Sequence, residues 1–283
     1  MYEDLKNSLK EKFEYWESEI EDGDVLDFIG YNLRDAIQDG TGFSLYRYMP
    51  ANYFNIRNIE TQTIHLSPNG YLNDVYEGLP SINNPDDYYK LAKLKELAYM
   101  TCLTEDNDNM LMWSHYADSH QGICVEYNLK QLDKDPFAII NHLFPVIYGD
   151  HRIIRRDADS LLSSYKELNK AIGEHYVYDG EETLDNLIPL FLTKSSVWQY
   201  EKEWRILYTR KNMYDADDEV LYSCNLPFPC VKNVYLGYRI HPEIRKNIIE
   251  ICGRLSGFGQ TVKAYQAKLK NDTYDIVFDE IET

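Results

Sequence analysis

An alternating segment near residue 200 constrains the fold of this chain most strongly. Residues 201–208 read E-K-E-W-R-I-L-Y, so Glu201, Glu203 and Arg205 stand at every second position. Side chains two positions apart on a strand lie on the same face. We therefore predict a strand on which Glu201, Glu203 and Arg205 project together, with the two carboxylate residues roughly 7 Å apart at Cα. Trp204 and Ile206, together with Tyr208 further on, are expected to point into a core.

The rest of the chain predicts an α+β fold with a mixed, mostly antiparallel sheet and flanking helices, because short strands alternate irregularly with helices. Apolar residues at helical spacing predict an N-terminal helical hairpin over residues 1–40, packed on a single α+β domain over residues 41–283. Further helices are predicted at Pro85–Leu97, Asn109–Ser119, Ala158–Tyr176, Leu184–Lys194 and Pro242–Leu255. Strands are predicted at Ser44–Met49, Thr63–Leu66, Ala98–Leu103, Gly122–Tyr127, Pro145–Tyr148, Glu203–Tyr208, Val220–Cys224, Val231–Leu236, Val262–Gln266 and Tyr274–Phe278.

The charge balance argues against extended nucleic-acid binding. Forty-seven acidic and 29 basic residues give a formal net charge of −18, which repels a phosphate backbone. A local basic patch could still bind a nucleotide or a strand end, or it could be a solvated loop face; its residues are His151, Arg152, Arg155 and Arg156. The 5 cysteines show no C-x-x-C pair, so neither a disulfide framework nor a zinc site is indicated. With no long apolar stretch, no membrane contact is expected and a cytoplasmic protein is predicted.

Two further segments carry chemistry. Arg47 stands between two tyrosines in a predicted strand, where its guanidinium could grip a phosphate or carboxylate and stack on their rings. In M-W-S-H-Y-A-D-S-H, Trp113 and Tyr116 share a helix face. His115 and His120 are five residues apart, a poor spacing for chelation, so no metal is expected and His115 is expected to line a pocket or bond in the core.

These patterns also have purely structural interpretations. Glu201 and Glu203 could belong to a surface ladder in which Lys202 faces solvent and Arg205 neutralises its neighbours. The side chains of Asn73 and Asp74 could serve only to build a turn.

Four motifs in order resemble the bacterial family called domain of unknown function 2971: Y-R-Y, L-S-P-N-G-Y-L-N-D-V-Y-E, M-W-S-H-Y-A-D-S-H-Q-G-I-C-V-E-Y and Y-E-K-E-W-R. The resemblance covers roughly residues 44 to 240. Family members typically carry proline and phenylalanine in N-D-P-F-E, where this chain has Val75 and Tyr76.

The same motif order looks like that of ADP-ribosyltransferases of the arginine-to-glutamate type, which implies a split sheet and NAD as substrate. In this resemblance Glu203 contacts the ribose 2′-hydroxyl, and Glu201 is the carboxylate that activates the acceptor. The middle S-T-S element of that superfamily has no clear counterpart, and Ser67 is nearest to it in position. Tyr71 could also contribute to an aromatic wall. The side chains implied to hold NAD are Arg47, Tyr48, Ser67, Trp113, His115 and Tyr116.

Three functions remain open. The first is an enzyme that uses NAD to modify a macromolecular acceptor, or that hydrolyses NAD. The second is a non-catalytic module that binds a nucleotide or a partner protein, as in a bacterial defence or regulatory system. The third is a metal-dependent nuclease or another hydrolase that uses Glu201, Glu203 and Asp74, with His115 as a further group.

Overall fold

The computed structural model describes residues 44–68, 73–79, 98–130, 139–152, 188–209, 225–257 and 261–282, and the single positions 7 and 81. Apart from position 7, the predicted N-terminal hairpin lies outside these residues, so the division at residue 40 stays a prediction. The predicted helices Pro85–Leu97 and Ala158–Tyr176 and the predicted strand Val220–Cys224 also lie outside them.

The described residues form mainly strands. Their bounds are β1 Ser44–Met49, β2 Thr63–His65, β3 Ser67–Pro68, β4 Ala98–Thr104, β5 Ile123–Asn128, β6 Leu143–Pro145, β7 Ile147–Gly149, β8 Thr193–Ser195, β9 Glu203–Thr209, β10 Asn225–Pro227, β11 Val231–Leu236, β12 Lys263–Leu269 and β13 Ile276–Ile281.

Two of the α-helices begin at asparagine caps. Asn52 accepts a hydrogen bond from the backbone of Asn55, and Asn109 accepts from Leu111, so each amide side chain satisfies a free N–H of a first turn. Pro242 occupies the first turn of the longest helix, where no backbone donor is needed. The helices are α1 Tyr53–Glu60, α2 Met110–His115, α3 Ile188–Leu192 and α4 Pro242–Ser256, with 3₁₀ helices at Ile139–His142 and Ser196–Glu201.

One large sheet organises the described residues, in the order β13-β12-β11-β5-β1-β4-β9-β6, with β3 paired to β4. β11 and β12 are parallel, and the other neighbours in this sheet are antiparallel. The mixed, mostly antiparallel sheet predicted from the sequence is thus confirmed. Two small sheets, β10-β2 and β7-β8, lie beside it.

The side chains that the alternating pattern of β9 predicted to point into a core are buried in the structure. Trp204 and Ile206 are completely buried in the main core, and Tyr208 is buried with them. Leu45 and Met49 of β1 contribute to the same core from the centre of the sheet. Burying such apolar side chains is the main favourable term that holds the sheet together.

Two predicted helices differ from the structure. Within the predicted helix Leu184–Lys194, α3 ends at Leu192 and β8 follows, because residues 193–195 pair in parallel with β7. Within the predicted helix Asn109–Ser119, α2 ends at His115 and the chain turns.

In the described part of the chain, no helix is long and apolar enough to span a membrane.

The turn after α2 has an unusual backbone. Asp118, Ser119 and His120 all have positive φ angles, of 47°, 53° and 69°. Positive φ angles are unfavourable for L-amino acids, and an α-helix cannot continue through them. The helix therefore ends before β5 begins. Gly122 then passes so close to its neighbours that a Cβ atom would lie 2.4 Å from the carbonyl oxygen of Met49. This turn therefore fixes where β5 joins β1.

Candidate functional site

A cavity of about 330 Å³ lies beside β1 and β4 at the centre of the sheet. Among the described residues, these strands pair only where Tyr46 faces Thr104. Three successive residues of β1 and five of β4 line the cavity. Because alternate side chains leave a strand on opposite faces, successive residues line a cavity where the edge of the strand forms its wall. The cavity therefore occupies a gap where the two strands part.

A buried ion-pair cluster forms one side of this cavity. Arg205 has a side chain that is 0% exposed, and its Nε donates to Glu203 Oε1 at 2.8 Å. Its Nη2 donates to Glu203 Oε2 at 3.0 Å and also to a carboxylate oxygen of Glu77. Its Nη1 donates to the carbonyl of Phe191. The guanidinium thus holds Glu203 in a two-pronged contact that fixes the orientation of the carboxylate.

Lys194 links the two glutamates that the sequence pattern singled out. Its Nζ donates to Glu201 Oε2 at 2.6 Å and to Glu203 Oε2 at 2.9 Å. The Tyr116 hydroxyl donates to the other oxygen of Glu201 at 2.5 Å. The two carboxylates therefore lie within reach of one ammonium group, and both line the cavity.

The prediction of a strand through Glu201 is wrong. Glu201 ends the 3₁₀ helix Ser196–Glu201, and Lys202 adopts a left-handed backbone, with φ of 43°, before β9 starts. The carbonyl of Glu201 is fixed by the Thr104 hydroxyl at 2.6 Å. The interpretation as a surface ladder is also wrong, because Arg205 is buried, although Lys202 is half exposed as that interpretation expected.

The cluster shifts the pKa values of its members. Burial alone would raise the pKa of Glu203, but Arg205 and Lys194 outweigh that effect and lower it to about 2. Burial raises the pKa of Glu77, and the Arg205 guanidinium offsets only part of that rise. Burial would lower the pKa of Lys194, yet the surrounding glutamates raise it above its usual value. Lys194 and Glu203 therefore form an ion pair across the neutral pH range.

The sequence patterns do not predict two members of the cluster, Glu77 and Lys194. Glu77 closes a turn in which Asp74 accepts a hydrogen bond from the backbone of Tyr76 at 2.9 Å. The N-D-V-Y-E motif contains the signal for Glu77, since only its backbone N–H takes part in the turn, by donating to the carbonyl of Asp74 at 3.2 Å, and its carboxylate does not. Lys194 carries no such signal, because the apolar spacing places it at the end of the predicted helix Leu184–Lys194.

The predicted ligand-binding residues are distributed unevenly around the cavity. Arg47 lies between Tyr46 and Tyr48, so its side chain leaves β1 on the face that Leu45 and Met49 share. Trp113 is completely buried and does not line the cavity; its ring packs edge-on against Tyr48 at 5.2 Å between centroids. Trp113 therefore supports the wall from behind. Tyr71 lies outside the described residues. The predicted residues that line the cavity are Arg47, Tyr48, Ser67, His115, Tyr116, Glu201 and Glu203.

A second cavity, of about 270 Å³, adjoins the first, and Glu77 and Lys194 line both. Asp74 lines the second cavity, whereas Glu201 and Glu203 line the first. Arg152 lies over the ring of Tyr76 at the second cavity, 5.0 Å from its centroid. No group of three or more His, Cys, Asp or Glu residues suited to a metal ion occurs in the described ranges.

Comparison with protein families gives one match. Residues 112–206 match the family described as "Protein of unknown function (DUF2971)". This stretch contains the M-W-S-H-Y and Y-E-K-E-W-R motifs and supports the family resemblance there, whereas Y-R-Y and L-S-P-N-G-Y-L-N-D lie before it. Searches of curated proteins and of solved structures found no match for this chain.

Proposed function

We propose that the cavity between β1 and β4 binds the nicotinamide-ribose part of NAD, and that the protein transfers ADP-ribose to an acceptor or hydrolyses NAD. The observation that carries this proposal is that Arg47, Glu201 and Glu203 all line one cavity, although Arg47 lies far from the two glutamates in the sequence. The split between the strands is what an ADP-ribosyltransferase-like fold would provide.

The charge of the cluster supports this chemistry. The carboxylates Glu77, Glu201 and Glu203 face the cations Lys194 and Arg205, so the formal charges of −3 and +2 sum to −1. Breaking the bond to nicotinamide develops positive charge on the ribose. A negative charge held in place in a water-poor site stabilises such a transition state more than it stabilises the substrate.

The two carboxylates are suited to different roles. Arg205 and Lys194 fix Glu203, which suits a group that holds a ribose hydroxyl in one orientation. Glu201 receives single hydrogen bonds from Tyr116 and Lys194 and keeps further lone pairs for an acceptor nucleophile. Arg47 lines the same cavity from β1 and would contact the phosphates.

The size of the cavity fits part of a dinucleotide. Its 330 Å³ lies near the lower end of the ~300–1,000 Å³ typical of small-molecule sites. The nicotinamide-ribose half would occupy it, and the phosphates would extend toward the rim.

The test is release of nicotinamide from NAD by the purified protein. The wild type should release nicotinamide, and Glu203→Gln should reduce kcat by at least about a hundredfold, the lower end of the effect of removing a transition-state contact. Glu60→Gln is the matched control, because Glu60 pairs with Arg254 on the surface and its substitution should leave the rate unchanged. A wild-type protein that neither binds NAD nor releases nicotinamide would contradict the proposal.

A second candidate is a non-catalytic nucleotide-binding module, and the occupancy of Glu203 favours it. Both oxygens of this carboxylate already accept hydrogen bonds from Arg205, and Lys194 takes a further position on Oε2. Saturable binding of NAD, with recovery of the intact ligand, would support the module over the enzyme. Equal affinity of Arg47→Ala and wild type would remove the proposed site in either case.

A further inference from the structure

The second cavity, of about 270 Å³, has an aromatic wall that the proposed function does not use. Tyr76 lines this cavity and is 57% exposed, and the guanidinium of Arg152 lies 5.0 Å from the centroid of its ring. The backbone N–H of Tyr76 donates to Asp74 Oδ1, which holds the turn that carries the ring. The ring is therefore fixed from one side by Arg152, while more than half of the residue stays accessible to a ligand.

The polar lining of this cavity favours a ligand that donates hydrogen bonds over an anion. Its charged groups have formal charges of −3 and +2, which sum to −1; they are Asp74, Glu77, Asp150, Arg152 and Lys194. One oxygen of Asp74 accepts from the backbone of Tyr76, and one oxygen of Asp150 accepts from the Ser196 hydroxyl. Within the ranges that the structure describes, the second oxygen of each aspartate accepts no hydrogen bond, so both can accept from a ligand.

A nucleobase that carries an amino group combines these features. Bases stack on aromatic rings and on guanidinium planes, and a carboxylate accepts a hydrogen bond from an exocyclic amino group. Adenine fits best, because it has no carbonyl oxygen that would face the carboxylates. The cavity is slightly smaller than the ~300–1,000 Å³ typical of small-molecule sites, which suits one base rather than a whole dinucleotide.

The sequence left a nucleotide open as the ligand of the basic patch at residues 151–156. His151 and Arg152 of this patch line the second cavity, whereas Arg155 and Arg156 lie outside the described residues. The patch therefore contributes to a cavity rather than only to a solvated loop face.

We propose that the second cavity is a nucleobase site, in which adenine packs against the Tyr76–Arg152 pair and donates its amino group to Asp74 or Asp150. The inference goes beyond the proposed function, because a base can bind here whatever occupies the first cavity. The base can come from the adenosine end of NAD, since Glu77 and Lys194 line both cavities, or from a separate adenine nucleotide.

The test measures the binding of adenosine and inosine by titration calorimetry. Inosine has a carbonyl oxygen in place of the amino group, and neither nucleoside carries a phosphate. Tyr76→Ala removes the ring, and Tyr76→Phe keeps it. Tyr53→Ala is the matched control, because Tyr53 is 67% exposed, its hydroxyl accepts a hydrogen bond from Arg57 at 3.0 Å, and it lines neither cavity.

The wild type should bind adenosine, and it should bind inosine at least about fivefold more weakly because the amino donor is lost. Tyr76→Ala should bind adenosine at least about fivefold more weakly than the wild type, the lower end of the effect of removing a stacked ring. Tyr76→Phe and Tyr53→Ala should bind as the wild type does. The inosine comparison needs no variant, so it tests the inference even where Tyr76→Ala fails to fold.

NAD and nicotinamide mononucleotide, which lacks the adenosine end, identify the source of the base. If NAD supplies the base, Tyr76→Ala weakens the binding of NAD but not of the mononucleotide, and NAD displaces adenosine. If a separate nucleotide supplies it, adenosine still binds to protein that is saturated with NAD. Both results support a base in the second cavity.

Three results would overturn the inference: a wild type that does not bind adenosine at millimolar concentration, equal affinity for adenosine and inosine, or wild-type affinity in Tyr76→Ala. Binding of NAD or the mononucleotide in the same experiments would leave the proposed function standing. Binding of adenosine without binding of NAD or the mononucleotide would instead contradict the proposed function alone.

Discussion

Among the residues of the described cluster, Arg205 is the one whose substitution we expect to destabilise the protein most through lost electrostatic interactions. It is completely buried and binds two carboxylates, so its removal leaves Glu77 and Glu203 without their main counter-charge. We expect Arg205→Met to lower the free energy of unfolding by about 3–5 kcal/mol, measured by urea titration. The matched control is Arg254→Met, whose partner Glu60 is half exposed, and it should cost at most about 1 kcal/mol. Similar losses in the two variants would show that the buried pair has no special weight.

The residues of the cluster also show which contacts of the site the sequence can predict. Glu203 and Arg205 are two positions apart, and strand alternation alone predicts that they share a face. Lys194 is 9 positions from Glu203, and Glu77 is 128 positions from Arg205. Because those contacts depend on how β8 and the Asp74 turn pack against the sheet, no local pattern in the sequence could predict them.

At the scale of elements, local patterns succeed where one period dominates. The predicted bounds of β1 and β11 agree with the structure. Each strand is a short segment of residues with high β-propensity, and most of its side chains are buried or partly buried in the sheet. The pattern fails at Lys194, because pairing with β7 overrides the helical spacing that precedes it. It fails again after His115, because the left-handed residues Asp118, Ser119 and His120 prevent the helix from continuing to Ser119 as the apolar spacing predicts.

The junction between α2 and β5 has little room for added atoms. A Cβ atom on Gly122 would lie 2.4 Å from the carbonyl oxygen of Met49 and 2.8 Å from backbone atoms of Ala117, which cannot move without displacing β1 or the turn. We expect Gly122→Ala to cost about 1–3 kcal/mol or more in the free energy of unfolding. Urea titration against Gly149→Ala checks this, because the nearest atom there is 3.7 Å away and that change should cost under about 0.5 kcal/mol. A tolerated Gly122→Ala would mean that β5 and β1 can separate locally.

At the scale of the whole molecule, the strand order assembles the candidate site. β1, β4 and β9 are neighbours in the sheet, so Tyr46, Thr104 and Glu203 lie in one row across it. The intervening segments differ greatly in length, and no repeat in the sequence indicates this order. A cavity lies where β1 and β4 part beside this row. Arg47 lines the cavity from β1, and the glutamates of the cluster line it from the other side. The sequence motifs suggest that these residues share one site, but the strand order that places them there cannot be derived from the sequence.

The acid stability of the whole protein should depend on this cluster. The pKa of Glu203 falls from 4.5 to about 2 on folding, so its contribution is complete above pH 4.5 and is lost as pH falls toward 2. At 1.36 kcal/mol per pKa unit, that contribution is on the order of 3 kcal/mol. Glu77 acts in the opposite direction because its pKa is raised, and protonation of surface acids relieves the repulsion of a chain with net charge −18.

Comparison of wild type with Glu203→Gln isolates the Glu203 contribution from these opposing effects. The variant should start less stable at pH 7, because Arg205 and Lys194 lose a counter-charge. Its free energy of unfolding should then fall less steeply than that of the wild type between pH 5 and pH 2, by roughly 3 kcal/mol in total. Urea titrations at pH intervals measure both slopes. Parallel curves would mean that Glu203 keeps an ordinary pKa in the folded protein, and the ion pairs around it would then not hold it charged.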